Sequence, residues 1–210
     1  MASELPGATE MARPRSAGFD DQREQIHAAA ARLFATRGYT ASTMNEVAAA
    51  CGISKATLYH YVRDKHDLLA QITTAHVARL EGLVREVAAR RLAPEMHLKA
   101  LIERFMQAYA SAEHEHRVLT EDVKFLADAE RQAVLGAQRR VVRAFADAVA
   151  VLRPELRAAA LDKPLAMLLF GMINWTFTWL RRDGALSHET LAPVVTALFF
   201  GGLPAVSGRL

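Results

Sequence analysis

Scarcity narrows this chain first. Its 210 residues hold one cysteine, Cys51, so no disulfide framework can form within the chain, and such usage suits a reducing compartment such as the cytoplasm. Long apolar runs are missing too. The most apolar stretch, Leu165 to Leu180, is interrupted by Gly171, Asn174, Thr176 and Thr178. It falls short of the roughly 20 residues a membrane span needs and reads as a buried helix, with no membrane partner. Residues 1–19 carry Pro6, Gly7, Pro14 and Gly18 but no apolar segment, so they are expected to form a flexible arm without a signal peptide. There is no Gly-rich phosphate loop, no G-x-S-x-G elbow and no H-E-x-x-H, so no catalytic residue is assigned and no enzyme is expected. Charge bias is absent where it would matter. The chain carries +3 overall, but in residues 20–67 Arg23, Arg32, Arg37, Lys55, Arg63 and Lys65 are balanced by Asp20, Asp21, Glu24, Glu46, Asp64 and Asp67. Only the placement of bases on one face, not their number, can speak for nucleic acid.

What remains is abundant helix punctuation. With 51% hydrophobic and 23% charged residues the chain can bury a globular core. Ile26, Ala29, Ala30, Leu33 and Phe34 recur at amphipathic spacing until Gly38. Ser42 or Thr43 can cap a second helix ending at Gly52, Ser54 caps a short third, and Asp64 a fourth that runs to about Arg91. Pro94 opens a fifth, "SAEHEHR" reads as a polar connection, and helices follow near Val118 to Leu126 and Ala129 to Leu152. Two more, Leu165 to Arg181 and His188 to Phe200, close the chain. The expected architecture is all-α with nine helices, residues 20–67 forming a helix-turn-helix head and 68–210 a helical body.

The stretch "SKATLYHYV", Ser54 to Val62, is short for a helix, but a recognition helix needs only its first turns and one face to reach bases. Leu58 and Tyr61 can anchor its inner side. Lys55, Thr57, Tyr59 and His60 are left outward.

"TMNEVAAACGISKATLYHYVRDKHDLL", Thr43 to Leu69, resembles the DNA-binding signature of TetR-family transcriptional regulators, with Val62 standing where an aromatic is more usual. The resemblance implies phosphate contacts from Thr43, Tyr59 and Lys65, and groove-facing positions at Lys55, Thr57 and His60, with the capping Ser54 also expected at the DNA-binding surface. Tyr59 has a purely structural alternative, and His60 could meet phosphate or base. It also implies a homodimer on double-stranded operator DNA and a small-molecule inducer held in the body. The expected interface is Leu165, Leu169, Met172, Leu191, Val195, Leu198 and Phe199, on two helices too apolar for a single partner layer.

"FGMINWTFTWLRRDGALSHETLAPVVTALFFGGL", from Phe170, and "HRVLTEDVKFLADAERQAVLGAQRRVVRAF", from His116, look like a TetR subgroup that controls breakdown of fatty acids, sterol fragments or aromatic acids. The usual inducer there is an acyl-CoA thioester. Phe105, Tyr109, Phe125 and Phe145 offer an aromatic lining, and Asn174 with Thr178 a polar pair. Arg139, Arg140 and Arg143 can meet CoA phosphates or serve as solvated helix charges. The expectation is a ligand-released repressor with no cofactor; a drug-sensing repressor, or a helical enzyme or adaptor with a vestigial head, are the alternatives. "EHEH", Glu113 to His116, raises a metal question, but on a helix His114 and His116 point about 200° apart, so no metal is assigned.

Overall fold

In the computed structural model, which describes residues 17–180 and 184–207, side-chain caps start the second and third helices of the head. Helix α1 spans Ala17–Arg37, α2 Met44–Ala50 and α3 Lys55–Leu58. Thr43 and Glu46 form a reciprocal capping box: the Thr43 hydroxyl accepts from the Glu46 amide at 3.3 Å, and the Glu46 carboxylate accepts from the Thr43 amide at 2.8 Å. Ser54 accepts from the Thr57 amide at 3.0 Å and opens α3. Gly52, at φ +64°, supplies the left-handed residue that turns α2 toward α3. Ile26, Ala30, Phe34, Val47, Leu58 and Val62 close over one another as the head core.

Helix α4, Lys65–Ala89, starts at the Asp64 cap and leaves the head for the body. Around it pack α5 (Pro94–Ser111), α6 (Glu113–Glu121) and α7 (Asp128–Leu152); a 3-10 turn at Val123–Phe125 lies against α6 and α7, and α8 (Pro154–Ala158) packs on α7. Helices α9 (Asp162–Asn174) and α10 (His188–Gly202) complete the body. Phe105, Phe145 and Phe170 meet edge to face or tilted at the centre, with centroids 4.7 to 6.1 Å apart.

Several expectations need correction. Ten α-helices, not nine, lie among the described residues, because Pro154 opens a helix as well as ending one. The supposed connection "SAEHEHR" is largely α6: His116 and Val118 are buried, so tertiary packing outweighs the polar composition. Residues 17–19 form the first turn of α1 instead of the arm; the rest of the arm, and Arg181, lie outside the described residues. The eighth predicted helix stops being α-helical after Asn174 and tightens into a 3-10 turn at Trp175–Thr178. Four supposed interface residues, Leu165, Leu169, Val195 and Phe199, are buried in the chain's own core.

Lys65 is also reassigned. Its ammonium donates to the carbonyls of Tyr39 at 2.9 Å, Thr40 at 3.2 Å and Ser42 at 3.0 Å, and sits 4.6 Å from the Tyr39 ring centroid. Those three bonds use the ammonium's three protons, leaving none for a phosphate. Lys65 therefore ties the α1–α2 loop to the start of α4. Lys65→Ala is expected to lower stability by about 1 to 3 kcal/mol, less whatever solvent screens, seen as a lower thermal midpoint. The slope of DNA affinity against salt should not change for the folded fraction; a flattened slope would restore the phosphate role.

Candidate functional site

The outer side of the head is built by α3 and the turn after it. Leu58 and Val62 point inward and are almost fully buried, which forces Lys55, Tyr59 and His60 out into solvent. The Lys55 ammonium lies 6.0 Å from the Tyr59 ring centroid, so cation and aromatic form one surface. Ser54 and Thr57 share a hydroxyl contact at 2.8 Å, and the Thr43 hydroxyl is held 2.9 Å from Glu46. Those three residues are committed to shaping the helix starts. The exposed triplet Lys55, Tyr59 and His60 is what the fold offers to a groove.

The body contains two adjoining chambers. The inner one, about 320 Å³, lies between α4, α5, α6, α7 and α9, with Val77, Leu80, Tyr109, Val141 and Phe170 among its walls. The outer one, about 760 Å³, has Arg139, Arg143, Arg157 and Lys163 on its rim. Leu135, Gln138, Val142 and Met167 border both. The inner chamber is thus walled mainly by apolar side chains with no charged group among the described residues, while the outer one sets these four bases beside Asp147 and Asp162. Arg157 is bound to Asp147 and Asp162, whereas no ion pair holds Arg139 or Arg143 among the described residues.

Not every expected lining residue is there. Phe105 and Phe145 are fully buried in the core behind the chamber. Phe125 is exposed and stacks on Tyr39 of the head with centroids 5.1 Å apart. Arg140 turns away to bind Glu81 at 2.6 Å. Thr178 is exposed and donates to the Trp175 carbonyl, because the 3-10 winding breaks the i, i+4 pairing with Asn174. Tyr109, Arg139, Arg143 and Asn174 do border the chambers.

The chief residues missed are His76 and His116. His76 interrupts the apolar stripe of α4, which is a signal in the sequence, while His116 lies within "EHEH" and meets its partner 40 residues away. Their rings meet at 3.4 Å, His76 Nε2 to His116 Nδ1, and Tyr109 stacks on His116 at 3.8 Å. Burial holds the pKa of His76 down to about 4 and that of His116 down to about 3. Both are neutral near pH 7. No cluster of three His, Cys, Asp or Glu placed to hold a metal ion occurs among the described residues. Cys51 is half-buried, and burial raises its thiol pKa.

A helix-turn-helix head on a helical body defines the class of DNA-binding regulators. Residues 26–72 match the profile of "Bacterial regulatory proteins, tetR family", and residues 91–203 that of "Tetracyclin repressor-like, C-terminal domain". The chain belongs to the TetR family. A TetR-family regulator from Bordetella parapertussis superposes with a TM-score of 0.81 at 33% identity, over 88% of this chain and 97% of that one. The transcriptional repressor KstR2 of Rhodococcus jostii is 26% identical over 90% of this chain and 94% of its own. The transcriptional activator FasR of Mycolicibacterium smegmatis is 27% identical over 89% and 85%. AibR, solved with isovaleryl coenzyme A and operator DNA, shares the fold at TM-score 0.73 and 24% identity, over 84% and 97%. These profiles and relatives are of regulators, not enzymes.

The depressed histidines set a pH dependence. Each is neutral in the fold but takes a proton near pH 6.5 when unfolded, so its share of stability is intact above about 6.5 and is lost as pH falls toward 4. Burial raises Asp122 to about 6, and that acid acts in the opposite sense, losing stability as pH rises toward 6. The two histidines should prevail. Chemical denaturation at pH 7 and pH 5 is expected to show a loss of roughly 1 to 3 kcal/mol, much reduced in His76→Phe/His116→Phe. An equal loss in that variant would place the acid sensitivity elsewhere.

Proposed function

We propose that the chain is a homodimeric transcriptional repressor that leaves a palindromic operator when an acyl-CoA thioester enters its body. The observation that carries this is the join between an apolar inner chamber and a mouth where Arg139 and Arg143 have no ion-pair partner among the described residues. An acyl chain suits the first, and guanidinium groups suit the phosphates of CoA at the second. AibR lends support as a fold relative solved with such a thioester and with operator DNA. KstR2 supports the repressor sign and FasR the opposite one; release is the sign we adopt. No helix among the described residues is long and apolar enough to cross a membrane, and an operator-bound regulator works in the cytoplasm.

Coupling follows from shared walls. Val77 and Leu80 of α4 border the inner chamber, while Leu68 and Leu69 of the same helix lie in the buried core near the head. Thr120 and Val123 border it as well, and two residues later Phe125 rests on Tyr39 of the head. Close by, His66 Nε2 accepts from the Ala127 amide at 3.1 Å. A ligand that prefers one setting of these elements must change operator affinity by the same factor as DNA changes its own.

The dimer surface we assign is the outer stripe of α9, the 3-10 turn that follows it and α10. Leu168 is 66% exposed, Trp175 61%, Val194 50% and Leu198 64%, an apolar face that one copy alone leaves in water. A second copy related by two-fold symmetry would cover it and set the spacing of two recognition helices. Of the residues first expected, Leu198 stays central and Met172 and Leu191, both half-buried, lie at its edge.

Two measurements test this. Leu198→Glu is expected to sediment as a monomer and lose operator binding while its helical content persists; an intact dimer would move the interface elsewhere. In a duplex shift assay on the upstream DNA, a panel of acyl-CoA thioesters should contain members that weaken binding about 5- to 150-fold. Their free acids should fail, and Arg139→Ala/Arg143→Ala should raise the thioester concentration needed. Release by an uncharged drug while every thioester is silent would leave a drug-sensing repressor.

A further inference from the structure

The walls of the inner chamber carry a polar mismatch. His116 is only 4% exposed, and its Nε2 has no hydrogen-bond partner among the described residues; the Oδ1 of Asn174 is buried and also has none among them. Both residues line the inner chamber. Arg104 Nε and Thr196 Oγ1 share that state, but neither residue borders the chamber. Buried polar atoms in folded proteins are nearly always paired, so two orphans on residues that wall one cavity point to an occupant that completes them once the side chains turn to it.

We propose that the inner end of the chamber reads a neutral oxygen, a hydroxyl or a ketone, on the carbon skeleton of the effector, through His116 and Asn174. The ring of His116 is fixed from two sides, by Tyr109 stacked at 3.8 Å and by His76 at its Nδ1, so Nε2 is held in one direction. The imidazole pair shares one proton, which leaves Nε2 as donor or as acceptor according to tautomer; a hydroxyl answers either, and a ketone answers the donor. The Asn174 Oδ1 accepts, so a hydroxyl can pair with it, whereas a ketone can pair only with a donor, at His116 or at the Asn174 amide nitrogen. Thr120 does not compete, since its hydroxyl donates to the His116 carbonyl at 2.9 Å. None of the inner-chamber residues is an acid, a lysine or an arginine, so a carboxylate at this end would be desolvated with no lining cation to meet it. The effector is therefore an oxygenated molecule, not a plain hydrocarbon chain. This rests on the body being a ligand sensor, and it stands whether or not CoA is attached.

Isothermal calorimetry and thermal shift on the full chain, with matched probes, test the assignment. One pair is octanoyl-CoA and its terminally hydroxylated counterpart, and another is cyclohexanecarboxyl-CoA and its ring-keto counterpart. A third, cyclohexanol against chlorocyclohexane, carries no CoA. The oxygenated member should bind at least about 10-fold tighter, because a site built around hydrogen bonds rejects the analogue that lacks them. His116→Phe, which keeps a ring against Tyr109, and Asn174→Leu should erase that preference while retaining the hydrocarbon member. A preference confined to the CoA-free pair supports the oxygen-reading site and removes the CoA assignment. Equal or tighter binding of the hydrocarbon members, as a water filling both bonds would give, overturns the proposal, and so does failure of every probe to bind.

Discussion

Continuous burial along α4 is the constraint on which the rest of this structure depends. Leu68 and Leu69 seat the first turns near the head core, Val77 and Leu80 form part of the chamber wall, and Val87 closes the far end, all on one 25-residue helix. Protein interiors are packed too densely to absorb a displaced side chain locally. A ligand that moves Val77 or Leu80 must be accommodated along the helix, toward the head. Lys65 makes that accommodation consequential, because the first residue of α4 holds the α1–α2 loop by three carbonyls.

The head solves an electrostatic problem without net charge. Its acids are largely used in internal geometry: Glu46 closes the α2 cap, Asp64 opens α4, and Asp67 accepts from the Arg63 amide at 2.8 Å. Lys55 has no acid partner among the described residues and stands on the outward side of α3. Acids that satisfy backbone donors add stability near helix starts and do not screen the outward base. Zero net charge over residues 20–67 is therefore compatible with a surface that attracts phosphate.

Local signals account for what was legible. The caps at Thr43, Ser54 and Asp64, the turn at Gly52 and the helix start at Pro94 depend on residues within four positions of one another, so they can be read along the chain. The outward side of α3 was legible for the same reason: once Leu58 points inward, Lys55, Tyr59 and His60 cannot. The chamber was harder. Aromatic content pointed to Phe105 and Phe145, but large rings serve a packed core as readily as a cavity, and here they support the wall from behind.

The sequence alone determined the all-helical class, the order of the first five helices and the helix-turn-helix, because hydrophobic period and capping are short-range effects. Only the tertiary structure decided which apolar residues of α9 and α10 stay in water. Leu165 and Leu168 look alike as letters, yet one is buried in the core and the other faces solvent. It also decided the fate of Lys65, Arg140 and Phe125, each drawn to a partner 26, 59 or 86 residues away. And it brought His76 to His116 across 40 residues, a pairing that no local pattern encodes because the contact exists only once α4 and α6 are packed.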